Sequence, residues 1–109
     1  MLKTINILVF IILNVFCSLQ VNAETLHVEI KKFKFSPQQL TINVGDTVIW
    51  SNREKRQYHS VWFKEAGDEE PEYFFPDETY QRTFNQTGSF NYLCGPHPKM
   101  IGSVIVEKK

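Results

Sequence analysis

Cys94, His97 and Met100 stand at i, i+3 and i+6 in the stretch Cys94-Gly95-Pro96-His97-Pro98-Lys99-Met100, and its prolines stiffen the chain. A thiolate, an imidazole and a thioether in one short loop are soft and borderline donors, the set that suits copper cycling between Cu(I) and Cu(II). A trigonal plane of two imidazoles and one thiolate, with a weak axial thioether, needs one more histidine. His59 lies in an apolar run at residues 58–63, far enough upstream to arrive from another strand, and is the natural candidate. His27 falls on the polar face of an alternating stretch and reads as an exposed strand residue.

Other chemistry fits the same residues less well. A closed zinc site wants a fourth strong ligand, and methionine is a poor one. A cysteine–histidine hydrolase would need an oxyanion hole and a substrate cleft, for which a small sandwich leaves little room. A multicopper oxidase or nitrite reductase domain needs further histidines, and only His27 is left over. The chain is therefore not expected to be an enzyme.

The chain has 109 residues, 42% of them hydrophobic, with 12 basic and 12 acidic side chains, which bounds it to one globular domain. No basic stripe calls for nucleic acid. Residues 1–23 read as a secretory signal peptide: Lys3, an apolar core over 5–16, and Val21-Asn22-Ala23 as an A-x-A-like cleavage site before Glu24. The apolar core is short for a membrane span, so no membrane attachment is expected after cleavage, and the protein is assigned to the periplasm. Cys17 leaves with the leader. Cys94 is then the single cysteine of the domain at 24–109, and it cannot form an internal disulfide. A bound metal would add to the thin stability margin of so small a domain.

The elements that must position these donors are strands. Leu26, Val28 and Ile30 alternate with polar residues, and Phe33 and Phe35 continue the period of two until Ser36-Pro37. Leu40, Ile42 and Val44 precede a Gly45-Asp46 turn, and Val48 and Trp50 follow it. Residues 51–57 and 64–72 are polar loops, the second rich in acids, and Tyr73-Phe74-Phe75 is expected to re-enter the core. Strands at 79–84, 89–93 and 101–106 complete the pattern, with Thr87-Gly88 as a turn. About seven or eight short strands with no amphipathic helix predict an all-β Greek-key sandwich or barrel. Phe33, Phe35, Trp50, Phe84 and Phe90 are expected in its core.

These residues together resemble the cupredoxins, the small type 1 blue copper proteins, and most of all the amicyanin and pseudoazurin groups of that family. Val44-Gly45-Asp46-Thr47-Val48 with Trp50, Asn52-Arg53-Glu54 leading to His59, and Thr87-Gly88 followed by Tyr92 and the ligand loop carry the likeness. It implies one copper ion, with His59, Cys94 and His97 equatorial and Met100 axial. It implies a monomeric carrier of single electrons between redox protein partners, such as a dehydrogenase or a c-type cytochrome. A copper-delivery protein using the same ligands is the alternative. Pro96 has no N–H to offer the sulfur, which leaves the Ser60 N–H as its expected donor. Gly95 departs from the family, which carries a hydroxyl side chain there, and predicts a looser loop. His97 is expected at the surface in a small apolar patch, with Arg53, Lys55 and Arg56 at its rim.

Overall fold

The period-two reading of the first strand holds residue by residue: Val28 and Ile30 are fully buried while His27 and Glu29 face solvent. The computed structural model describes residues 22–108, so the expected leader lies, up to residue 21, outside the described residues. Seven strands follow: β1 (Thr25–Lys31), β2 (Lys34–Ser36), β3 (Gln39–Asn43), β4 (Thr47–Asn52), β5 (Thr79–Thr83), β6 (Gly88–Leu93) and β7 (Ile101–Glu107). They form two sheets, one in the order β2-β1-β4-β5 and the other β3-β7-β6. The β1–β4 and β3–β7 pairs are parallel and the rest antiparallel, so the chain passes repeatedly between layers. The expected all-β sandwich is what forms.

Between the layers sits an aromatic core centred on Trp50, which is fully buried against Phe63, Tyr80 and Tyr92. Its indole Nε1–H donates to the Tyr92 hydroxyl at 3.1 Å, giving both buried polar atoms a partner. Burial pushes the Tyr92 phenol up to about 12, against the opposing pull of that bond. Tyr92 is paired across the ladder with Gly102, and a Cβ at 102 would run into the end of the Tyr92 ring. Because that ring is wedged in the core, Gly102→Ala is expected to destabilise the fold by roughly 1–3 kcal/mol. Chemical denaturation should show a lower midpoint with an unchanged slope; an unchanged midpoint would mean the ring moves freely.

Three expectations are corrected. Residues 58–63 form no regular strand: His59 and Trp62 make isolated bridges, to Phe74 and Leu93 respectively. Phe33 leaves the alternation because Lys32 and Phe33 turn with φ of 53° and 58°, which puts the Phe33 ring at the surface instead of the core. Of Tyr73-Phe74-Phe75 only Phe74 is buried; its neighbours point outward. Phe35, Trp50 and Phe84 are in the core as expected, and Phe90 packs partly buried against it.

Candidate metal centre

Each donor is fixed by backbone before side chains are considered. The loop between β6 and β7 closes on itself: the Cys94 N–H donates to the Met100 carbonyl at 3.0 Å, the His97 N–H to the Cys94 carbonyl at 3.2 Å, and the Met100 N–H to the His97 carbonyl at 2.9 Å. The His59 segment is tied at both ends. His59 exchanges backbone bonds with Phe74 at 3.1 and 2.9 Å, and Trp62 does so with Leu93, the residue before Cys94, at 2.8 and 3.0 Å. Two separate parts of the chain thus meet in fixed register.

The side chains then converge. His59 Nδ1 lies 3.5 Å and His97 Nδ1 3.6 Å from Cys94 Sγ, and the three donor atoms all fall within 4.8 Å of one another. A metal with bonds of about 2.0 Å to nitrogen and 2.3 Å to sulfur, at angles of about 110–120°, needs nitrogen–sulfur separations near 3.6 Å. The donors fit such an ion with little movement. Among the described residues this is the one group of three or more metal-binding side chains so placed. Met100 is buried in the same loop, its backbone bonded to Cys94 and His97. His27 is on the exposed face of β1, away from it. A thiolate, two imidazoles and a thioether match copper better than zinc, which would want a harder fourth ligand.

The tautomer of His59 is set by Glu54, which the sequence marked only as part of the family likeness, without a role. Glu54 Oε2 sits 3.0 Å from His59 Nε2. Burial pushes the Glu54 carboxyl up, but bonds from His59 and from the Lys32 and Phe33 N–H groups outweigh it and hold the group below its ordinary range. Burial pushes His59 down, against the pull of Glu54, so the ring is neutral. A neutral ring beside a carboxylate carries its proton on Nε2 and leaves the Nδ1 lone pair aimed at the metal position. The available signal was a carboxylate a few residues before a suspected metal histidine.

Asn52 in that stretch was likewise assigned no role. It is fully buried; its Nδ2 donates to the Gln57 and Phe74 carbonyls at 2.8 and 3.1 Å, and its Oδ1 accepts from the Glu54 N–H at 3.0 Å. One side chain curls residues 53–57 so that Glu54 faces His59.

Around the sulfur the expected donor is present: the Ser60 N–H points at Cys94 Sγ at 3.4 Å. Burial pushes the thiol up more than the surrounding donors pull it down, so the metal-free protein holds Cys94 protonated and a metal must displace that proton. Gly95 does not detach the loop. Its own N–H donates to Ser60 Oγ at 2.8 Å, so the backbone joins the loop to the His59 segment.

The His97 ring is half-buried, with Phe33 edge-on at 5.0 Å and Tyr58 at 6.2 Å between centroids. Phe33 is also edge-on to His59 at 5.7 Å. Tyr58 stacks on Tyr73 at 5.2 Å and meets Phe75 at 5.8 Å. Phe33, Tyr58, Tyr73 and Phe75 are 46, 40, 41 and 54% exposed, so the apolar patch expected at His97 is present and larger than one loop could provide. Of the basic residues expected at its rim, Arg53 pairs with Glu29 at 3.7 Å and Asp77 at 4.0 Å, and Lys55 and Arg56 are exposed.

Residues 22–107 match the family of copper binding proteins typified by plastocyanin and azurin. The chain is 42% identical over 91 residues to an amicyanin of Paracoccus versutus, covering 80% of this chain and 68% of that one. It is 37% identical over 89 residues to amicyanin-alpha of Methylorubrum extorquens, covering 78% of this chain and 74% of that one. The crystal structure of the Paracoccus versutus amicyanin superposes with a TM-score of 0.70 at 38% identity, covering 83% of this chain and 86% of the other.

Proposed function

This chain belongs to the plastocyanin/azurin family of copper binding proteins, and on that premise we propose that it carries single electrons between redox protein partners. The observation that carries the reading is the convergence of His59, Cys94 and His97 donor atoms within 4.8 Å, with Met100 in the same closed loop. We assign His59, Cys94 and His97 as the in-plane ligands and Met100 as the axial one. Copper bound there supplies a one-electron couple between Cu(I) and Cu(II).

The chain's own residues do the rest. Glu54 orients His59, and the Ser60 N–H stabilises charge on the sulfur. Backbone bonds at both ends of the His59 segment and within the Cys94–Met100 loop resist rearrangement when the metal changes charge. That resistance favours a carrier of electrons over a carrier of copper. His97, at the surface among four aromatic rings, offers the shortest route for an electron to a docked partner. Exposed aromatic area suits a transient partner that must dock without strong ion pairing. A dehydrogenase or a c-type cytochrome is the kind of partner we propose. Residues 1–23 have the composition of an export leader, and on that basis we place the mature domain in the periplasm.

Metal retention tests the reading against copper delivery. The loaded protein is expected to cycle reversibly at an electrode and to hold copper for hours against excess chelator in both oxidation states. Release within seconds of reduction, or transfer of copper to a thiol-rich acceptor, would make it a delivery protein.

A further inference from the structure

The acidic loop at residues 64–72 reads in sequence as a solvated surface loop, and two of its acids have partners on neighbouring strands. Asp68 takes the Arg82 guanidinium at 2.6 Å, and Glu65 accepts from Asn91 Nδ2 at 3.1 Å. Glu70 is different. Its carboxylate lies directly over the backbone of Gly95, in the space a side chain at 95 would occupy. A Cβ built there would overlap Glu70 Oε1, stand 3.2 Å from Glu70 Cδ and 2.9 Å from Ser60 Oγ. Gly95 does not have a left-handed φ, so backbone conformation does not require glycine at this position; what glycine does here is leave room for the Glu70 carboxylate, which a side chain at 95 would push aside.

Glu70 is held in this seat by Tyr73, whose hydroxyl donates to Oε1 at 3.2 Å and whose ring stacks on Tyr58 beside His97. Among the described residues no cation lies within ion-pair distance of Glu70, so its charge is not cancelled locally. It stands next to the residue that follows the thiolate and beside the Ser60 hydroxyl that binds the Gly95 N–H. Oxidation raises the charge of a copper–thiolate centre by one, and a fixed negative charge alongside stabilises the more positive state.

We propose that the Glu70 carboxylate, admitted by Gly95 and held by Tyr73, biases the copper centre toward its oxidised form. Glu70 and Gly95 then work as a pair: the glycine leaves room, and the carboxylate fills it with charge. Glu70 is a positioning residue that acts through the field at the site, and the inference rests on the electron-carrier reading above.

Potentiometric titration of the copper-loaded protein tests it. Glu70→Gln keeps the shape and an acceptor for Tyr73 but removes the charge. At a fixed potential its Cu(I):Cu(II) ratio is expected to rise about threefold, a screened effect that should shrink as salt is added. The visible absorption should stay as it is. Gly95→Ala should shift the ratio in the same direction by displacing the carboxylate, and should add little in a Glu70→Gln background. Glu72→Gln, on the same loop, should shift it less. In the metal-free protein, hydrogen exchange at the Gly95 amide should accelerate in Glu70→Ala, which removes its cover.

A normal visible band with the same Cu(I):Cu(II) ratio in Glu70→Gln as in the wild type would overturn the inference alone. Equal shifts from Glu72→Gln and Glu70→Gln would overturn it too, by tracing the effect to the loop's overall charge. A wild-type protein with no such band would defeat the copper reading and this inference together.

Discussion

Cys94→Ser is expected to leave the copper-treated protein without its intense visible absorption. That absorption requires a thiolate donating electron density to Cu(II), and a serine hydroxyl stays protonated where the thiol gives up its proton. The loss should be complete because no second sulfur anion is available: Cys94 is the only free cysteine among the described residues. His59, His97 and Met100 remain in the variant, so residual copper binding is expected, weaker and nearly colourless. Cys94 is fully buried, and the substitution leaves the Ser60 N–H with a shorter, more distant acceptor. The metal-free fold should therefore lose only about 1 kcal/mol. Absorption spectra of residues 24–109 titrated with Cu(II), beside the wild type, decide the matter. A wild-type protein that stays colourless and retains one zinc ion instead would refute the copper assignment.

How far such a site can be read from sequence depends on how local its geometry is. The Cys94–Met100 loop was legible because three donors lie within seven consecutive residues and its closing hydrogen bonds join those residues to one another. The strands were legible wherever burial on one face imposes alternation, as for Val28 and Ile30 in β1 or Val48 and Trp50 in β4. Alternation misled at Phe33, because a two-residue left-handed turn changes which face a side chain takes without changing the hydrophobic pattern. The polar run 51–57 hid the supporting residues. One of the partners of the buried Asn52 side chain, the Phe74 carbonyl, comes from elsewhere in the chain to meet it, and no local pattern records that partner. The link at Gly95 was not foreseen for the related reason that a backbone N–H can make a contact expected of a side chain. Side-chain type shows what chemistry is available. Which polar group is left facing which depends on contacts distant in sequence.

Glu54 is the sharpest case, and its removal should have the second largest effect. One carboxylate serves three donors: Oε2 takes His59 Nε2 at 3.0 Å and the Phe33 N–H at 3.1 Å, and Oε1 takes the Lys32 N–H at 2.8 Å. Glu54→Ala frees the His59 ring to choose its tautomer and leaves the turn that carries Phe33 without its anchor. Copper affinity is expected to fall roughly 10–100-fold, the usual cost of removing a partner behind a metal-bound histidine. Metal-free stability should fall by about 1–3 kcal/mol from the lost charge-assisted bonds. The pH dependence has a definite sign. The Glu54 carboxyl is held below its ordinary value of 4.5 in the folded protein, so the unfolded chain binds its proton first as pH falls. Its stabilisation is therefore full above that value and is lost as pH drops through the lower folded one. Wild type and Glu54→Ala should differ in unfolding midpoint at pH 7 and converge in acid. Glu54→Gln should lie between them, because an amide can accept from one side but must present a donor on the other. Chelator competition and thermal unfolding of the metal-free proteins measure both effects. Equal copper affinity in Glu54→Ala and wild type would mean that the backbone pair with Phe74 alone holds His59 in place.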